Sequence, residues 1–114
     1  MIKGERVTKK RPYKKVDLLS LIHQYVESGS FVETVHARQR QNERKIILPD
    51  ILHVLMTGYH EKQKDQFDDD WQSWNYAIRG KTKTNNELRV IVAIDEEVAL
   101  LIITAFYVEN KREK

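Results

Sequence analysis

The sequence predicts an α+β domain in which two to three N-terminal helices pack on a twisted antiparallel sheet of about four to five strands. Apolar residues recur at helical spacing up to Gly58, and beyond it the apolar period drops to two. With 114 residues the chain can fill one core but not two, and no internal repeat divides it. The expected organisation is a flexible basic arm over 1–12, a single domain over 13–108 and a charged tail over 109–114.

From Tyr13 onward, Val16, Leu18, Leu19, Leu21, Ile22, Tyr25 and Val26 mark a first amphipathic helix, which Gly29 stops. Residues 31–35 read as a short strand leading into a polar helix, with Thr34 as its candidate N-cap. Pro49 suits the first turn of a third helix, whose Leu48, Ile51, Leu52 and Leu55 form an apolar stripe before Gly58 caps it. Residues 59–64 are polar enough for an edge strand, and the aspartates at 68–70 suit a loop. Trp74, Tyr76 and Ile78 alternate with Ser73, Asn75 and Ala77, a pattern that places the aromatic rings in the core rather than against nucleobases. Turn chemistry over 81–86 leads to Leu88, Val90, Val92 and Ile94, and 95–97 forms a tight turn into 98–108. That last run is apolar on both faces and is expected to be the central strand.

Composition narrows the function classes. Hydrophobic residues at 40% and charged residues at 32% describe a charge-rich globular chain, with no apolar run near the ~18 residues of a membrane helix and no signal-peptide core. The sequence has no cysteine, which removes disulfides, thiol nucleophiles and cysteine-based zinc sites and makes the cytoplasm the expected compartment. His53 and His60 are seven apart and His23 is remote, so no metal or other cofactor is expected. The net charge of +3 hides segregated blocks. Seven cations crowd the first fifteen residues, Lys14 and Lys15 among them; Arg38, Arg40, Arg44 and Lys45 form a second block, and Lys111, Arg112 and Lys114 a third. Such blocks can meet on one face and draw in a polyanion, or act as solubilising tails.

The polar helix carries the most specific pattern. Its 3.6-residue period puts His36, Arg40, Glu43 and Arg44 on one stripe, with little apolar surface elsewhere to bury. Metal-independent RNA cleavage needs a base, an acid and cations on the developing phosphorane charge. His36 or Glu43 could move protons while Arg40 and Arg44 bind phosphate. Arg38 lies about 200° around an ideal helix from His36 and suits RNA contact or solvation instead. A solvated helix with internal ion pairs fits the same spacing. Gly80-Lys81-Thr82 is not a nucleotide-binding loop, because Asn75 stands where its first glycine should be and a turn rather than a helix follows.

The series His36-Ala37-x-x-Arg40-x-x-Glu43-Arg44-x-x-Ile47 resembles the leading motif of a bacterial family of unknown function placed near the RelE, ParE and BrnT toxins, in the barnase/EndoU/colicin/RelE-like ribonuclease grouping. The similarity continues through Ile51, Leu55 and Gly58, then Phe67-Asp68-Asp69, the 77–82 turn, 88–92 and Ile102-Ile103-Thr104, and covers roughly 31–108. It implies a RelE-like domain with an RNA cleft beside the first motif. The implied catalytic set is His36, Arg40, Glu43, Arg44 and Thr104, with Arg79 a phosphate contact; apart from the resemblance, Arg38, Lys81, Lys14 and Lys15 are further candidate RNA or phosphate contacts. RNA is the implied substrate and an antitoxin protein the implied partner, with the chain itself a monomer or weak dimer. Two positions depart from the family pattern: Gln41 stands where methionine is common, and Phe106 where an aromatic, often tyrosine, follows the late threonine. Phe106 cannot donate a proton.

Overall fold

The computed structural model describes residues 11–109. Most of the basic arm and the last five residues of the tail therefore lie outside the described residues. The described chain holds α1 (Leu18–Glu27), β1 (Phe31–Glu33), α2 (Val35–Arg44), α3 (Leu48–Thr57), β2 (Tyr59–His60), a 3₁₀ turn (Lys62–Lys64), β3 (Gln66–Asp68), β4 (Ser73–Lys81), β5 (Glu87–Asp95) and β6 (Ala99–Tyr107). It is an α+β fold with the helices ahead of the main strands, as expected.

Local chemistry explains most boundaries. Gly29, at φ 73°, ends α1 in a left-handed cap, and the Ser30 N–H reaches back to the Tyr25 carbonyl at 2.8 Å. Thr34 is the N-cap of α2, its hydroxyl accepting from the Ala37 N–H at 3.0 Å. Pro49 sits in the first turn of α3. Gly58 ends that helix in extended backbone rather than in a left-handed cap. Its glycine character has another cause: a Cβ there would stand 2.4 Å from the Arg79 carbonyl oxygen, where β4 crosses.

The sheet runs β1-β6-β5-β4-β2, with β3 also paired to β4. It differs from the expected antiparallel sheet of four to five strands in having six strands among the described residues and in being mixed, because β1 lies parallel to Leu100–Ile102 of β6. The central strand is β5, not the final run. β6 is apolar on both faces for another reason: one face meets the core and the other floors an open groove.

The expected edge strand over 59–64 is also corrected. Strand pairing stops after His60 and resumes at Gln66, and Asp65 fills the gap. Its fully buried carboxylate accepts from the Ala77 N–H at 2.9 Å in place of a ladder partner, and bonds His60 at 2.7 Å and Lys14 at 3.0 Å.

The core lies between the α1–α3 layer and one face of the sheet. Ile22, Ile51, Val54 and Leu55 meet Ile78, Leu88, Val90, Val92, Leu100 and Ile102, all fully buried. Tyr76 is buried with them and Trp74 packs against the cluster, as the alternation predicts. α2 instead packs along β6 and buries only Ala37.

Candidate functional site

The face of the sheet away from α1 and α3 is open. Alternation sends Arg79, Arg89 and Phe106 to that face in one cross-strand row, and Ile91 and Thr104 in the next. A β-bulge gives β6 an extra residue here: Ile91 pairs with Thr104 but Val92 with Ile102. Ile103 and Thr104 can therefore both face the groove while Ile102 and Ala105 stay in the core.

Two grooves share Asn75 and Ile103 and so adjoin along this face. The larger, of ≈ 590 Å³, is bounded by Thr34 and His36 on one side and by Trp71, Asp68, Asp95 and Glu96 on the other, over an apolar floor of Ala93, Leu101 and Ile103. The smaller, of ≈ 340 Å³, is lined by Lys64, Gln66, Asn75, Arg89, Thr104 and Phe106. One end is thus acidic and the other basic.

The α2 stripe forms as its spacing predicts. Arg40 Nε donates to His36 Nε2 at 3.2 Å, and its Nη1 donates to Glu43 Oε1 at 2.9 Å. With Nε2 accepting, a neutral His36 carries its proton on Nδ1. One turn further, the Arg44 side chain leaves the helix, its Nη1 donating to Thr104 Oγ1 at 3.3 Å and to the Ala105 carbonyl at 2.8 Å. The five residues of the implied catalytic set therefore lie along one helix and the strand it packs on. His36 borders the larger groove and Thr104 the smaller.

The further cations are dispersed. Arg38 is exposed on α2, and Lys81 lies opposite Glu87 at the end of β4. Arg79 is held by Glu61 at 3.2 Å and Glu87 at 3.0 Å. Lys14 is bound to Asp65 and sits 4.7 Å from the Trp74 ring centroid, while the Lys15 N–H donates to the Tyr76 hydroxyl at 2.9 Å. Neither Lys14 nor Lys15 lines the two grooves.

Sequence reasoning missed Glu61 and Arg89. Glu61 is 3% exposed and accepts two bonds from Arg89, at 2.7 and 3.0 Å, plus the one from Arg79. Hydrogen bonding from Arg89 above all, with Arg79 adding to it, holds the Glu61 carboxyl below the usual carboxylate range against the opposing effect of burial. The Arg89 guanidinium lies 5.5 Å from the Phe106 ring centroid, and that of Arg44 lies 5.8 Å away. The one legible signal was that Glu61, Arg79 and Arg89 are charges inside or beside strands. Among the described residues no group of three or more His, Cys, Asp or Glu is placed to hold a metal ion, and no helix is long and apolar enough to cross a membrane.

A bulged sheet bordered by a polar helix, with one face open and grooved, defines this as a small α+β domain. The chain belongs to the family described as a domain of unknown function (DUF4258), whose sequence model matches residues 34–107. The match starts at the N-cap of α2 and ends with β6, so it spans both grooves and leaves α1 and β1 outside. No curated protein matches the sequence.

Proposed function

We propose that the protein is an RNA-directed, toxin-type endoribonuclease that works without a metal, its substrate lying across the open sheet face. The reading is supported above all by the Arg44–Thr104 bond, which joins the α2 stripe to the strand that floors both grooves. In the proposed reaction a base on α2 takes the proton of a ribose 2′-hydroxyl, and the 2′-oxygen attacks the adjacent phosphorus. The 5′-oxygen leaves with a proton from the acid, giving a 2′,3′-cyclic phosphate and a 5′-hydroxyl. His36 and Glu43 are the proton carriers. Arg40 sits between them, bonded to both, and stabilises the phosphorane with Arg44, while Thr104 positions substrate. In this reading the activity belongs to the cytoplasm and an antitoxin protein covers the groove; what supports it is the resemblance of the α2 motif to that of the RelE, ParE and BrnT toxins.

The test is incubation of purified protein with end-labelled single-stranded RNA in chelator, with analysis of the product ends. Cyclic phosphate termini are expected, with a rate at least about 10²-fold lower for His36→Ala. If the wild type cuts no RNA in vitro, and its expression leaves growth and cellular RNA untouched, the nuclease reading is wrong.

A second reading, a binding module of the same fold without catalysis, is favoured by one observation. Phe106 stands at the position where the resembled family often carries tyrosine, so this chain lacks that proton donor. Salt-dependent RNA binding without cleavage would select it.

A further inference from the structure

We infer that the smaller groove is a pocket for one unpaired nucleobase, with Phe106 stacking on its ring and Asn75 and Gln66 reading its edge. The inference rests on the RNA-directed reading and adds a subsite with a defined ligand chemistry. Gln66 and Asn75 are direct cross-strand partners of β3 and β4, and both line the groove of ≈ 340 Å³. Neither carboxamide has a hydrogen-bond partner among the described residues, although Asn75 is half-buried and borders both grooves.

A carboxamide presents a donor and an acceptor side by side. A phosphate offers acceptors only and would be better met by guanidinium or ammonium groups. Two unpartnered carboxamides facing one groove therefore fit a ligand edge that carries both functions, as every nucleobase does. The rest of the groove fits the remainder of a nucleotide. Phe106 supplies a half-buried ring, and Arg89 and Lys64 supply cations for the flanking phosphates. Arg89 is not free to swing, because Glu61 holds it through two bonds. The ring and the cation are thus set before the ligand arrives. A peptide strand also carries paired donors and acceptors, but its backbone offers no flat ring that would stack on Phe106.

Fluorescence anisotropy with labelled single-stranded RNA oligomers of about eight nucleotides tests the pocket. The set comprises homopolymers, a mixed sequence and the mixed sequence with abasic ribose at successive positions. For intact RNA, Phe106→Leu should weaken binding roughly tenfold, whereas Phe106→Tyr, which keeps the ring, should bind like wild type. One abasic position should weaken wild type and leave Phe106→Leu unaffected. Asn75→Ala should narrow the affinity differences among homopolymers. Thermal melts establish that each variant is folded. If wild type binds RNA and folded Phe106→Leu binds equally well, the pocket is refuted and the RNA-directed reading stands. If wild type binds no RNA, the pocket and the RNA-directed reading fall together.

Discussion

Two sets of charged side chains, built from the same residue types, behave in opposite ways in this fold. On α2, the Arg40–Glu43 pair is 40% and 51% exposed, three residues apart on one helix, with His36 a turn away. Under the sheet face, Glu61 is 3% exposed at the centre of a network with Arg89, Arg79 and, beyond it, Glu87. An exposed pair at helical spacing contributes only about 0.3–0.5 kcal/mol, since water competes for both partners. A buried carboxylate has lost its hydration, so removing its partners, or removing it and stranding them, costs several kcal/mol. The lesson is a division of roles. The α2 ladder can open for a ligand at small cost, whereas the Glu61 network cannot and so fixes Arg89 in place.

The sharpest way to break this comparison is Glu61→Gln, which takes the carboxylate from Arg89 and leaves Arg79 with Glu87 alone, and should lower unfolding free energy by about 3 kcal/mol in urea titrations. A loss no larger than that of a surface pair would make the two sets equivalent. Acidification tests the same point. The Glu61 carboxyl titrates below its ordinary 4.5 in the folded protein, so its contribution is complete above that value and is lost as pH falls through the lowered folded value. The stability gap between wild type and Glu61→Gln should therefore be constant near neutrality and shrink below about pH 4.5. A gap that stays flat on acidification would contradict the assignment.

Asp65→Ala extends the comparison to a second buried carboxylate. It orphans the Ala77 N–H and frees Lys14 and His60, and should cost about 2 kcal/mol by chemical denaturation. Thr34→Ala should cost about 1 kcal/mol, locating the hold on α2 in its cap rather than in its ladder. Smallest of all, Arg40→Ala, Glu43→Ala and their double variant should stay within about 0.5 kcal/mol of wild type, with a coupling that vanishes in high salt. A coupling above about 1 kcal/mol would mean that the ladder is structural after all.

How much of this was legible depends on the range of the interactions. Gly29, Thr34 and Pro49 act on neighbours a few residues away, and each sets the boundary its chemistry predicts. The α2 stripe was legible for the same reason, because helical periodicity is local. The parallel pairing of β1 with β6 was not, since nothing in three residues states which distant strand they will meet. Nor was the break in the expected edge strand, which depends on the Asp65 side chain finding the Ala77 N–H twelve residues on. The bulge at Ile103 leaves no trace in an apolar run, and Arg89 lies 28 residues from the carboxylate that holds it. Consequently the helical side of the candidate site could be read from the sequence. On the strand side only Thr104 and Arg79 were named in advance, through the family resemblance, while Glu61, Arg89 and the bulge became visible only once the sheet was assembled.

One further consequence concerns β6. β1 covers its outer margin for only three residues, and the carbonyls just beyond are met by side chains: Ile103 by the Thr34 hydroxyl at 3.4 Å and Ala105 by Arg44. Arg44, proposed to act on RNA, thus joins the helix cap Thr34 in guarding a sheet margin that could otherwise recruit a strand from another molecule. Site integrity and solubility are coupled through Arg44. A variant that loses this guanidinium exposes an unpaired strand margin as well as altering the candidate site, so its effect on the proposed activity and its effect on self-association have to be measured separately.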